Sequence, residues 1–125
     1  MHSILDKLRR PDVVFYRAGG RINISSRIVR LLGIHPGDSI DILTDDCEYY
    51  LYVAHRADDT GAFRATCKPV NSGNRRSMYT NSSAIANTIL DACKCTVKVA
   101  VCAGAPLEVG GRTVVPLLTR LATKP

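Results

Sequence analysis

The feature that most constrains this chain is a segment that recurs within it. Asn23-Ile24-Ser25-Ser26-Arg27-Ile28-Val29-Arg30-Leu31-Leu32 sits 57 residues ahead of Thr80-Asn81-Ser82-Ser83-Ala84-Ile85-Ala86-Asn87-Thr88-Ile89. Ser25-Ser26 aligns with Ser82-Ser83, Ile28 with Ile85, and Leu32 with Ile89. Each serine pair precedes an apolar i, i+4 pair, the pattern of a short amphipathic helix opened by a hydroxyl cap. The flanks recur as well. Ahead of the first helix, Val13-Val14-Phe15-Tyr16 and Ile22-Asn23-Ile24 bracket Gly19-Gly20, a hairpin signal. Ahead of the second, Phe63–Cys67 and Ser77–Thr80 bracket Asn71-Ser72-Gly73-Asn74. Ser39–Leu43 and Tyr49–Val53 follow the first helix around Thr44-Asp45-Asp46. After the second helix, Thr96–Val101 leads through a Gly-rich stretch to Val114–Leu118.

Each half therefore reads β-β-α-β-β. Four such strands expose an apolar face that needs a second copy to cover it, so the halves are expected to complete one closed β structure. The expected organisation is a lead-in over residues 1–11, a first unit over 12–61, a second, diverged unit over 62–118 and a tail over 119–125, the two units forming one compact domain. The fold class expected is mainly β with two short helices, α+β.

Composition narrows the function classes. With 46% hydrophobic and 22% charged residues the chain is too apolar for disorder, and without Trp its core must be mostly Ile, Leu, Val and Ala. No apolar run approaches the roughly 20 residues that span a bilayer. The charges at Asp6 and Lys7 interrupt any signal-peptide core, so a cytoplasmic location and no membrane partner are expected. Five cysteines are an odd number in an unexported chain and read mostly as reduced thiols. Cys93-Lys94-Cys95 has no second pair or nearby His to complete a zinc site, so neither metal nor cofactor is expected. The net charge of +6 is unevenly spread: +5 over residues 1–37, −6 over 38–62 and +7 over 63–125. A basic face with an acidic opposite side would follow from such blocks, as would a mixed solvated surface.

The stretch from Gly20 to Ile42, G-R-I-N-I-S-S-R-I-V-R-L-L-G-I-H-P-G-D-S-I-D-I, resembles the signature of the AbrB/MazE (SpoVT-AbrB) family of swapped-hairpin DNA-binding domains. Gly33-Ile34-His35-Pro36-Gly37-Asp38 is its specific part. Gly33 ends the helix in a left-handed cap, Ile34 packs back on it, and Pro36-Gly37 makes a turn. The resemblance covers residues 12–55 directly and 62–118 only through the repeat. It implies a pseudo-twofold swapped-hairpin, cradle-loop β-barrel, with duplex DNA as partner and one fused chain supplying the whole body. There are departures: Ser25 stands where the family usually has Pro, Val29 where it often has Arg, and Leu90–Cys95 replaces the second copy's turn.

The candidate DNA-binding residues are Arg17, Arg21, Arg27 and Arg30 from the first copy and Arg75 and Arg76 from the second. Guanidinium groups at the hairpin turns and helix start suit phosphates and guanine edges; equally, they suit a solvated surface. Asn23, Asn74, Asn81 and Asn87 read as capping and turn residues, with adenine readout the alternative. Catalysis is not expected. His2, His35 and His55 have no Ser-Asp or Cys partner at diagnostic spacing, and no phosphate-binding loop occurs. The reading is a DNA-binding transcriptional regulator. The alternative is an antitoxin- or adaptor-type interaction module with a protein partner, and a homodimer is compatible with either.

Overall fold

The computed structural model describes residues 11–54, 65–70 and 77–119. β1 (Val13–Tyr16) and β2 (Arg21–Ile24) form a hairpin with strict alternation: Val13, Phe15, Ile22 and Ile24 are buried, and Val14, Tyr16, Arg21 and Asn23 face outward. A 3-10 turn at Ala18–Gly20 joins them. Gly20 has φ +63°, and a Cβ there would lie 2.4 Å from the Ser83 amide, so only glycine lets this turn seat on the second helix. The Ser82 N–H donates to the Gly20 carbonyl at 2.9 Å and fastens that contact.

α1 (Ser26–Leu32) starts where the Ser25 hydroxyl accepts from the Ile28 N–H and stops at Gly33, φ +66°. The Ile34 N–H then donates to the Val29 carbonyl at 2.9 Å, and Ile34 is buried. α2 (Ser83–Ala92) has the same beginning, Ser82 to the Ile85 N–H, and is a full ten residues long. Its end repeats the same bonds. The Cys95 N–H donates to the Leu90 carbonyl at 2.9 Å, with Lys94 at φ +57° in the place of Gly33 and buried Cys95 in the place of Ile34. The glycine motif is absent from the second copy, but the backbone geometry it serves is kept.

The remaining strands are β3 (Ser39–Asp45), β4 (Glu48–Ala54), β5 (Lys68–Pro69), β6 (Met78–Asn81), β7 (Lys98–Val101), β8 (Leu107–Val109) and β9 (Arg112–Leu117). They make a five-stranded sheet, β5-β6-β2-β1-β7, and a four-stranded sheet, β3-β4-β9-β8, with every ladder antiparallel. The β3–β4 turn is Asp46-Cys47, both at positive φ, so the strands run past the expected Thr44–Asp46 turn to pair Asp45 with Glu48. Gly110-Gly111 makes the matching tight turn between β8 and β9. β8 was not expected, and it makes the second half one strand richer than the first.

The expected closed barrel does not form among the described residues. The two sheets stay open and are stitched by isolated bridges, Ser39 to Thr66 and Ala103 to Leu117. β5, two residues ending in Pro69, is too short to carry ladders on both sides. A single core lies between the sheets: Val13, Phe15, Ile22, Ile24, Val99 and Val101 from one, Leu51, Val115 and Leu117 from the other, with Ile28, Ile89 and Leu90 from the helices. No helix among the described residues is long and apolar enough to cross a membrane.

Candidate nucleic-acid interface

Alternation fixes what the five-stranded sheet presents outward. Phe15, Ile22, Thr80 and Val99 point into the core, so their strand neighbours point away from it. One row across the sheet reads Lys68–Tyr79–Asn23–Val14–Ala100, and the next includes Asn81–Arg21 and Tyr16–Lys98. These nine residues include three cations, two tyrosines and two asparagines, and no acid. Arg21 is held in place: its Nε donates to Asn23 Oδ1 at 2.8 Å, and its guanidinium lies 4.1 Å from the Tyr79 ring centroid. The terminal guanidinium nitrogens remain available to a phosphate or a base edge.

The other candidate arginines do not gather beside it. Arg17 is clamped at the end of α2, donating to Thr96 O, Asn87 Oδ1, Asp91 Oδ1 and Cys95 O at 3.0–3.1 Å. Arg27 donates to Asp12 Oδ1 at 2.9 Å. Asp12 is buried, and its other oxygen accepts from the Ala103 N–H at 2.7 Å, so the pair ties α1 to the start of β1 and the segment just after β7. Arg30 is exposed in the last turn of α1, where its charge favours the helix carbonyl end. Arg75 and Arg76, with Asn74, lie outside the described residues. Asn81, the last residue of β6, donates to the Gly19 carbonyl, and Asn87, inside α2, accepts from Arg17, so neither caps a helix.

Lys68, Lys98, Tyr16 and Tyr79 were missed by sequence reasoning. Their only signal is period-two placement on strands whose alternate residues are apolar, and β5 is too short to display one. The described strand acids of the 38–62 block lie elsewhere. Asp41, Asp45 and Glu48 share the outer face of the four-stranded sheet with Leu43, Tyr50 and Tyr52. Tyr52 donates to Asp41 at 3.1 Å and Tyr50 to Glu48 at 3.2 Å. Burial and Asp41 raise the Tyr52 pKa above its ordinary value, and the bond to Glu48 raises that of Tyr50.

None of the five cysteines is in a disulfide, and Cys67, Cys93 and Cys95 are buried. Among the described residues, no group of three His, Cys, Asp or Glu side chains is placed to hold a metal ion. His35 is exposed, with Nδ1 3.6 Å from Asp38 Oδ2. Asp38 Oδ2 also accepts from the His35 N–H at 2.8 Å and so closes the Pro36-Gly37 turn. The chain matches no model of a known protein family, no curated protein and no solved structure.

Proposed function

We propose that this protein binds duplex DNA through the outer face of its five-stranded sheet and acts as a transcriptional regulator on a swapped-hairpin fold of the AbrB/MazE type. The observation that carries the reading is the face around Arg21, Lys68 and Lys98, whose nine strand residues include no acid, set on a chain whose acidic hairpin occupies the other sheet. The interleaving of the two halves supports the fold reading. β1 of the first half pairs with β7 of the second, β2 with β6 and β4 with β9. Lys68 and Lys98 meet phosphates, the fixed guanidinium of Arg21 reads a base edge or a bridging phosphate, and the tyrosines and asparagines fill the groove contacts.

Fluorescence anisotropy with a duplex pool, titrated with salt, tests this. The expected result is micromolar or tighter binding that weakens steeply with salt. Lys68→Ala and Lys98→Ala should each lower the salt slope by about one, and Arg21→Ala should weaken binding by roughly 1–3 kcal/mol. Arg17→Ala should leave the slope unchanged while lowering folding stability by roughly 1–3 kcal/mol, since its acceptors lie within the protein. Absence of binding at low salt would sink the reading. It would favour a protein-interaction module instead, for which the observation is the acidic, aromatic second-sheet face beside exposed Leu107 and Val109.

A further inference from the structure

The outer face of the five-stranded sheet is organised about one residue pair, Asn23 on β2 opposite Tyr79 on β6. A half-turn about that pair carries Ile22 onto Met78 and Ile24 onto Thr80, and all four are buried. The strands of the two halves are therefore equivalent at an offset of 56 residues, while the helix caps Ser25 and Ser82 are equivalent at 57. The second half carries one more residue between strand and helix.

The same half-turn exposes a difference between the two sides of the face. It carries Arg21 onto Ser77, Val14 onto Lys68 and Ser25 onto Asn81. The Val70 N–H donates to the Ser77 carbonyl, which places Val70 where Tyr16 stands on the other side. One side thus presents Arg21, Tyr16, Lys98 and Asn81. The other presents Ser77, Val70 and Ser25, and the hollow of about 260 Å³ that these three border is also lined by Asp12, Asn23 and Arg21 itself. Arg21 sits on a strand, pinned by Asn23 and Tyr79, and its counterpart is a hydroxyl. The two candidate arginines of the second copy, Arg75 and Arg76, lie outside the described residues.

We infer that the DNA element bound by this protein is asymmetric, with one half-site read through Arg21 and the other meeting Ser77 at the equivalent strand position. The inference rests on the DNA-binding reading above. A homodimer presents two identical surfaces, and its sites are accordingly palindromic. A single chain with two unlike sides carries no such requirement. A guanidinium bidentate to a guanine discriminates against the wrong base by roughly five- to 150-fold, and a serine hydroxyl bonds donors and acceptors alike.

Selection of the full chain's preferred sequence from a randomised duplex pool, followed by anisotropy on substituted sites, tests the inference. The expected product is one non-palindromic element. Base-pair changes in one half should cost roughly five- to 150-fold, and the mirror changes in the other less than about threefold. Arg21→Ala should level the two halves. Ser77→Arg should gain roughly fivefold or more on an inverted repeat of the sensitive half. An enriched palindrome with equally sensitive halves would overturn the inference while leaving DNA binding intact, as would salt-dependent binding with no enriched sequence. Absence of any DNA binding would overturn the parent reading and the inference with it.

Discussion

Cys67 is a thiol with 1% of its surface exposed, held between the two sheets near the Asp38 carboxylate. Its N–H donates to the Asp38 carbonyl at 2.7 Å. Burial first, and the Asp38 charge second, push its pKa from 9.0 up to about 12. The native state therefore keeps the proton through a range in which the unfolded chain releases it. Because the folded value lies above the unfolded one, the contribution to stability is complete below pH 9 and is lost as pH rises from 9 towards 12. The slope expected from this group is at most about 1.4 kcal/mol per pH unit. Urea midpoints at pH 8, 10 and 11 should fall more steeply for the native chain than for Cys67→Ala. Other residues show why side-chain roles were only partly legible. In the sequence, Arg17, Arg21 and Arg27 are alike as basic residues near a hairpin or a helix start. Arg17 differs only because its four acceptors come from 70 to 79 residues further along the chain.

At the scale of elements, three of the described residues other than glycine occupy the left-handed region: Asp46 and Cys47 in the β3–β4 turn, and Lys94 at the end of α2. A non-glycine residue there costs roughly 1–2 kcal/mol, and glycine returns part of this through greater freedom in the unfolded chain. Cys47→Gly and Lys94→Gly should each raise stability by about 0.5–1 kcal/mol, read as a higher urea midpoint with an unchanged m-value. Neither substitution touches the proposed DNA face, so the salt slope of binding should not move. Helices and hairpins were largely legible because caps, turn glycines and apolar spacing are local signals. Ser25 and Ser82 mark both helix starts, and Gly33 marks one end. β8 was hidden because Leu107-Glu108-Val109 is three residues long and its pattern cannot be told from loop. The expected strand at Phe63–Cys67 begins outside the described residues, and the ladder with β6 is the two residues Lys68–Pro69.

At the scale of the molecule, neither half keeps its strand partners if the chain is divided. Residues 1–61 would lose β7 from β1, β6 from β2 and β9 from β4. Each loss exposes a ladder of backbone groups and one face of the shared core. A 1–61 fragment should therefore be unfolded as a monomer, gaining strand structure only as a dimer or on addition of 62–125. Circular dichroism with sedimentation checks this, and a folded monomeric half would contradict it. The same interleaving separates the charge blocks, because the acidic residues of β3 and β4 fall on the sheet that does not carry Arg21.

The sequence by itself determined the local pieces: where chains turn, where helices begin and which strand residues alternate. Those properties depend on interactions within a few residues. Only the tertiary structure decided which arginines are spent internally, that the sheets stay open, and that Lys68, Tyr79, Asn23 and Arg21 meet on one face. That face is assembled by pairing β2 with β6, residues more than fifty positions apart. Its register follows from burying Ile22, Ile24, Met78 and Thr80 together, a condition that no local window contains.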